Sequence, residues 1–469
     1  MVNMNLTTSR RDFFKQMLLS MAAAYGIKLD NRAHALSHRP TPNGAPFFLQ
    51  FFIEGGLDTS YLFDARPLIF TQKNLMQNYT GKDPIKWTDI KGRETWASDM
   101  MSPLLPLAPH FSVINGVIMS PAFDGHSENK NIYFTGNAFG GDSLMVELGR
   151  HQQKSDLDFV ELAASTLYFA GTNHQNSVTF SPESFKLVQT MLQDSPPLAE
   201  NSDYFQHLLA TFSSYGAGED IFAMGSEQMA SAQQYAPGLQ QKILNIKGPT
   251  ATDFLPTCLH LASEIFRTGL SRSCLIPLPY SQTEVDSHSP QSAQKHPKLA
   301  GRVAADLSTI INFLLKTSFD GKVSLMEQTQ FVLGSEFTRT MKSNPYIAAD
   351  QTGTDHNPFN NSFILGGQGI RGNQIIGESD WKTVDETLSV AHQQVDSSKI
   401  KLMGRPFDFM KQEVIRDLLP AKFDATQYLQ IGNIINTIYH SHQKPKSIWR
   451  KVSTMPDAAE LPIISSLLV

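Results

Sequence analysis

The hydrophobic positions of the chain form short apolar runs that alternate with helical patterns, as in proteins built on a parallel sheet. Phe47–Ile53 (FFLQFFI) is an apolar and aromatic run with a single polar residue, Gln50, which is typical of a strand buried on both faces. Further strands are predicted at 111–119, 178–180, 273–279, 331–334 and 362–365. The clearest helix carries an apolar residue at every fourth position, at Leu299, Val303, Leu307, Ile311 and Leu315. This pattern predicts an α/β protein with a doubly wound, mostly parallel sheet.

One large α/β domain is expected over residues 36–439, with a helical insertion or cap at about 200–268. Residues 440–469 mix Lys, Pro and short apolar runs, and we interpret them as a C-terminal tail. The composition adds one exclusion. With 41% hydrophobic residues, 18% charged residues and a formal net charge of -5, the chain lacks the basic excess of a polyanion-binding protein. A nucleic acid partner is therefore not expected.

The N-terminus carries the most specific local signal. Arg10 and Arg11 precede an apolar stretch over residues 17–27, and Ala33-His34-Ala35 offers a small-x-small cleavage pattern. This order resembles a twin-arginine (Tat) export signal; the alternative is a basic amphipathic helix. The resemblance implies a signal peptide at 1–35, the Tat export machinery as a partner, and a periplasmic or secreted protein of a bacterium. No run of 18 apolar residues exists, so no transmembrane segment is expected in the mature chain.

Acidic and histidine residues follow the predicted strands, where a parallel sheet collects its functional side chains at one edge. They are Asp58, Asp286, His288, Asp355 and His356. This mixed oxygen and nitrogen set suits Zn, Mn or Fe better than Ca or Mg. Neighbouring residues of a strand point to opposite faces, so Asp355 and His356 can serve one centre only from a loop. The sequence therefore predicts a site for one or two divalent metal ions.

Two other pairs of residues leave alternatives open. Glu336 and Arg339 follow a predicted strand. They either form a structural ion pair or have a role in the site as a metal ligand, as a partner that orients a ligand, or as an anion clamp. Cys258 and Cys274 are the only cysteines, and they form either one disulfide or two buried free thiols.

An ordered series of motifs resembles the exported "domain of unknown function 1501" family. Its members here are Phe52-Ile53-Glu54-Gly55-Gly56-Leu57-Asp58, Asp286-Ser287-His288, Gly334-Ser335-Glu336-Phe337-Thr338-Arg339-Thr340, Gly353-Thr354-Asp355-His356-Asn357 and the glycine-rich segment 366–377. That family looks like a branch of the alkaline phosphatase and sulfatase superfamily. The resemblance implies an alkaline phosphatase-like sheet and a two-metal site. Asp58, Asp355 and His356 would bind one ion, and Asp286 and His288 the other.

The chain departs from the superfamily pattern at the nucleophile. In the related enzymes a Cys, Ser or Thr lies nine residues before a Thr-Gly pair, and here that count from Thr135-Gly136 reaches His126. His126 is then a nucleophile, a general base or an additional metal ligand. Alternatively, Ser127 takes over in a shifted register, or covalent chemistry has been lost.

Two functional hypotheses follow. The first is an exported metal-dependent hydrolase of phosphate or sulfate esters, with His126, Glu336 and Arg339 as its catalytic residues. The second is a non-catalytic exported binding or assembly protein on the same fold, which the displaced nucleophile favours. A redox enzyme ranks below both because the sequence has no Cys cluster, haem motif or dinucleotide fingerprint.

Overall fold

A computed structural model of the protein describes residues 44–65, 84–119, 125–152, 157–163, 177–193, 241–248, 252–339, 354, 356–358, 361–377, 401–402, 405–406, 429–444 and 461–469. The structural statements below concern these residues. The predicted export signal, residues 201–240 of the predicted helical insertion, and Asp355 lie outside them.

A large mostly parallel sheet forms the centre of the described structure. The strands in chain order are β1 Phe47–Ile53, β2 Ile85–Thr88, β3 Glu94–Ala97, β4 Phe111–Val117, β5 Phe159–Leu162, β6 Ser177–Phe180, β7 Ser273–Pro277, β8 Thr329–Ser335, β9 Thr338–Arg339, β10 His356–Asn357, β11 Asn361–Gly367, β12 Ile375–Ile376, β13 Lys401–Leu402 and β14 Arg405–Pro406. Eight of them form one sheet in the order β12-β4-β11-β8-β1-β7-β5-β6. β11 pairs antiparallel with β4 and β8, whereas the other pairs of this sheet are parallel. The predicted α/β class is confirmed.

The helices connect these strands and cover the sheet. The α-helices that lie wholly within the described residues are α1 His126–Thr135, α2 Leu144–Gln152, α3 Pro182–Gln193, α4 Phe254–Thr268, α5 Gln282–Val285, α6 Pro290–Ala293, α7 His296–Lys316 and α8 Ile431–Ser441, and residues 241–245 are also helical. Short 3-10 helices lie at Thr59–Tyr61, Leu325–Glu327 and Ser465–Leu467, and a longer one at Asp99–His110. The helix predicted from the four-residue apolar spacing is α7.

Two hydrophobic cores lie on opposite faces of the sheet, and the central strand β1 contributes to both. Phe47 and Phe51 belong to the core that α4 and α7 complete, whereas Phe48 and Phe52 belong to the core that α1, α2 and α8 complete. Successive strand residues point to opposite faces, so a strand covered by helices on both sides needs apolar residues at nearly every position. This explains why six of the seven residues of β1 are apolar, with Gln50 as the exception, and it confirms the doubly wound arrangement.

The described parts of the C-terminal region pack against this body. Leu467 is fully buried, and Leu468 forms a bridge with Ile370. Cys258 and Cys274 are both buried free thiols, and burial raises the pKa of Cys258 to about 12. Within the described residues, no helix combines the length and the apolar composition that crossing a membrane requires.

Candidate metal centre

The candidate site lies at the edge of the sheet where several strands end together. The carboxyl ends of β1, β7 and β8 are aligned, since Phe52 pairs with Pro277 and Ile53 pairs with Ser335. The reversed strand β11 starts at the same edge, where Asn361 pairs with Val117 at the end of β4. The segments that enter or leave these strands carry the predicted polar residues, as is usual for α/β folds.

The turn that follows β1 approaches two other segments closely. Gly55 and Gly56 have φ angles of +113° and +80°, which favour glycine. A Cβ on Gly55 would lie 2.8 Å from Val285 Cβ, and one on Gly56 would overlap the Phe337 ring and lie 2.8 Å from Arg339 Nε. Glycine is therefore required for contact as well as for backbone conformation.

Four side chains converge at this edge: His126, Asp286, His288 and His356. One ligand atom from each lies within 4.8 Å of all the others. The two Nε2 atoms of His288 and His356 are 2.9 Å apart. Asp286 places Oδ1 3.3 Å from Nε2 of His288 and Oδ2 3.7 Å from Nε2 of His126. This spacing allows a single cation to contact all four residues.

Different parts of the chain deliver these four residues. His126 is the first residue of α1, which follows β4, and His356 lies on β10, opposite Arg339 of β9. Asp286 and His288 flank Ser287 in the loop after α5. Thr354 fastens this loop to the segment of His356, because its backbone N–H donates to the Ser287 carbonyl at 2.7 Å and the two hydroxyls are hydrogen-bonded.

Glu336 fixes the orientation of His126. The buried carboxylate accepts hydrogen bonds from Gly55 N at 2.7 Å and Ser335 Oγ at 2.8 Å, and Nδ1 of His126 lies 2.8 Å from it. An ionised carboxylate only accepts, so this contact places the imidazole proton on Nδ1. Nε2 then presents a lone pair. It is buried, and among the described residues it has no hydrogen-bond partner.

Arg339 fixes Asp286 and the glycine turn. Its side chain is fully buried, and Nη2 donates to Asp286 Oδ1 at 2.7 Å and also to the carbonyl of Gly55. Nε donates to the carbonyls of Gly55 and Gly56 at 3.0 and 3.3 Å. Nη1 lies 3.4 Å from Nε2 of His288, which therefore acts as the acceptor. Arg339 therefore contacts Asp286 and His288 from a buried position, and its role in the site stays a prediction.

Phe337 forms an apolar surface against which two imidazoles rest. Its ring centroid lies 4.4 Å from that of His356 and 4.8 Å from that of His126, and the residue is fully buried. The opposite side of the site is open, because the side chains of His126, Asp286 and His288 remain 22%, 23% and 32% exposed. The sequence analysis missed Phe337, since an aromatic residue after an apolar strand is usually part of a core.

The predicted ligand Asp58 lies outside this group of four. It is buried, caps the 3-10 helix at Thr59–Tyr61 and accepts hydrogen bonds from the backbone N–H and hydroxyl of Ser60. Burial raises the pKa of Asp58 to about 7. Asp355 lies outside the described residues, next to His356 in sequence.

His296 begins α7 and supports the loop of Asp286. Its Nε2 lies 2.9 Å from the carbonyl of Val285, and burial lowers the pKa of His296 to about 4. The ring is therefore neutral near pH 7 and donates this hydrogen bond from Nε2–H.

One protein family matches part of the chain. The family described as "Protein of unknown function (DUF1501)" matches residues 281–404, a region that includes Asp286, His288, Glu336, Arg339 and His356. His126 lies before the matched region. Among the curated proteins, none matches the chain in sequence.

Solved structures give distant similarities. The C-terminal periplasmic domain of EcEptC from Escherichia coli has a TM-score of 0.31 and 10% identity over 86% of this chain and 84% of that one. The lipoteichoic acid synthase LtaP from Listeria monocytogenes has a TM-score of 0.30 and 8% identity over 77% and 73%. Alkaline phosphatase from the Antarctic bacterium TAB5 has a TM-score of 0.30 and 11% identity over 71% and 95%.

Proposed function

We propose that the protein is an exported metal-dependent hydrolase of phosphate or sulfate esters. The observation that carries this proposal is the convergence of His126, Asp286, His288 and His356 within 4.8 Å at the open edge of the sheet. Export follows from the twin-arginine pattern at Arg10 and Arg11, and the ester class follows from the resemblance of the ordered motifs.

The donor set fits a transition metal. Three imidazoles and one carboxylate match the ligands that Zn²⁺ and related ions prefer, whereas Mg²⁺ and Ca²⁺ prefer oxygen. The buried Nε2 of His126 faces the other candidate ligands and has no hydrogen-bond partner among the described residues, so its lone pair is available to bind a cation. His126 would bind through Nε2, His288 and His356 each through a ring nitrogen, and Asp286 through its carboxylate. Asp355 is an additional candidate because it adjoins His356.

A divalent ion at this position would supply Lewis-acid catalysis and an activated water at neutral pH. The chain's own residues have complementary tasks. Glu336 holds the proton of His126 on Nδ1, so that Nε2 stays available. Arg339 holds Asp286 in place and offsets part of its charge. Phe337 excludes water from one side of His126 and His356.

The position of His126 favours a water nucleophile over a covalent intermediate on the protein. The imidazole turns its Nε2 toward Asp286 at 3.7 Å, as expected of a ligand. Ser127, the alternative nucleophile, is exposed and lies one residue further along α1. Successive helix residues point about 100° apart, so Ser127 does not share the direction of His126.

The test is hydrolysis of phosphate and sulfate monoesters and diesters by the full chain, assayed after chelation and again after Zn²⁺, Mn²⁺ or Fe²⁺ is restored. We expect at least one ester class to be hydrolysed, activity to be lost with the metal and regained with it, and His126→Ala to be inactive although folded. The matched control His260→Ala changes a histidine of α4 whose Nε2 contacts the carbonyl of Lys247. Stoichiometric metal without hydrolysis of any ester would favour the binding or assembly protein instead.

A further inference from the structure

We propose that Lys130 binds the anionic group of the substrate, and that Glu54 holds Lys130 beside the site until substrate arrives. This inference rests on the proposed ester hydrolase and names the residue that selects for its phosphate or sulfate group. It follows from which cations the described site contains and from how each of them is bonded.

Arg339 is the cation nearest to the candidate ligands, but its donors face the protein. The side chain is fully buried, and its contacts include Asp286, the carbonyls of Gly55 and Gly56, and Nε2 of His288. An anion that reached Arg339 would have to displace these contacts. Arg339 therefore supports the site and does not offer a surface to a ligand.

Lys130 lies on the same face of α1 as His126, four residues further along the helix. The rise between them is about 6 Å, and helical side chains lean toward the N-terminus, so Lys130 leans toward the turn that carries His126. Its Nζ donates to Glu54 Oε1 at 2.7 Å. Glu54 immediately precedes Gly55, whose N–H donates to Glu336. The Lys130–Glu54 pair therefore joins α1 to the end of β1, one residue before the turn that contacts Glu336.

The exposure of this pair suits an exchange of partners. The side chains of Lys130 and Glu54 are 29% and 27% exposed. Ion pairs that water reaches contribute little to stability, so Lys130 can leave Glu54 at small cost. A phosphate or sulfate oxygen then replaces the Glu54 carboxylate as the acceptor of a charge-assisted hydrogen bond. The flexible lysine stem allows this movement, which a buried guanidinium does not.

The test measures binding of inorganic phosphate and of sulfate to the Zn²⁺-loaded full chain by calorimetry, together with KM and kcat on the ester that the wild type hydrolyses. We expect Lys130→Gln to weaken anion binding and raise KM by about 10- to 100-fold, with kcat nearly unchanged, because the contact stabilises bound substrate and transition state alike. Glu54→Gln, which frees Lys130, should bind the anions as tightly as the wild type or more tightly.

A second lysine and glutamate pair provides the matched control. Lys86 and Glu94 of the β2–β3 hairpin are 2.8 Å apart and 55% exposed, so Lys86→Gln removes the same charge from the surface. It should leave anion binding and KM unchanged. If Lys130→Gln binds phosphate and turns over ester as the wild type does, the inference is wrong and the proposed hydrolase stands. If the wild type binds no metal and hydrolyses no ester, the proposed function fails and this inference fails with it.

Discussion

Replacing Glu336 by glutamine tests how the protein prepares His126 for a metal ion. The substitution keeps the length of the side chain and removes its charge. The carboxylate now lies 2.8 Å from Nδ1 of His126 and accepts from Gly55 N and Ser335 Oγ. A glutamine oxygen can still accept from Gly55 and His126, but the amide NH₂ cannot accept from Ser335. We expect His126 to become a weaker and less well oriented ligand.

The size of the effect follows from these contacts. Loss of a carboxylate that orients a metal-binding histidine costs about 10- to 100-fold in metal affinity. That range corresponds to about 1.4–2.7 kcal/mol. Glu336 is fully buried, where charge-assisted hydrogen bonds are stronger than in water. We therefore expect the upper half of the range, about 2–2.7 kcal/mol or about 30- to 100-fold.

The assay is a Zn²⁺ titration of the metal-free full chain in competition with a chromophoric chelator, repeated with Co²⁺, whose absorption spectrum reports the ligand field. The control Glu94→Gln removes an exposed carboxylate in the β2–β3 hairpin. A folded Glu336→Gln protein that binds Zn²⁺ with the affinity of the wild type and the control would refute the orienting role of Glu336.

Three further predictions concern the support of the site and are measured by unfolding. Gly56→Ala should destabilise the protein by about 3 kcal/mol or more, because backbone strain and overlap with the Phe337 ring combine. The control Gly92→Ala, at a similar φ of +76° but with open space around it, should cost about 1 kcal/mol, and equal losses of stability in the two variants would contradict the contact with Phe337. Arg339→Lys should lower the free energy of unfolding by about 3 kcal/mol, because one ammonium cannot replace the contacts to Asp286 and the Gly55 carbonyl. The control Arg302→Lys, in a half-exposed ion pair with Glu284, should lower it by less than about 1 kcal/mol. Burial lowers the pKa of His296 to about 4, so the free energy of unfolding of the wild type should fall by about 3 kcal/mol between pH 6.5 and pH 4, because the unfolded chain binds a proton there that the folded chain excludes. If the stability of His296→Gln fell as steeply over this pH range, the assignment would be contradicted.

The sheet was predictable because its strands carry strong local patterns. The run Phe47–Ile53 matches β1 residue for residue, since burial on both faces leaves Gln50 as its one polar position. The 3-10 helix at Asp99–His110 was not predicted. Its Pro103, Pro106 and Pro109 recur at the three-residue period of that helix, which is the signal that could have revealed it.

The candidate site was predictable in its location and less so in its membership. Asp286 and His288 follow the parallel strand β7, whereas His356 reaches the same edge of the sheet from β10, which pairs antiparallel with β9. His126 was recognised only as a departure from a pattern, because its proximity depends on how β4 and α1 pack. Glu336 and Arg339 were ambiguous in sequence, since burial decides whether such a pair is a surface ion pair or a support for ligands, and burial is a property of the folded chain.

The most direct measurement of the central claim is the metal content of the full chain by elemental mass spectrometry, after purification without chelator, beside His288→Gln, His356→Gln and the control His260→Gln. Circular dichroism of each protein establishes that it is folded. We predict at least about one transition-metal ion per chain in the wild type and the control, and a large loss in the two site variants. Equal metal content in all four folded proteins, or none in any of them, would contradict a metal centre at this edge of the sheet.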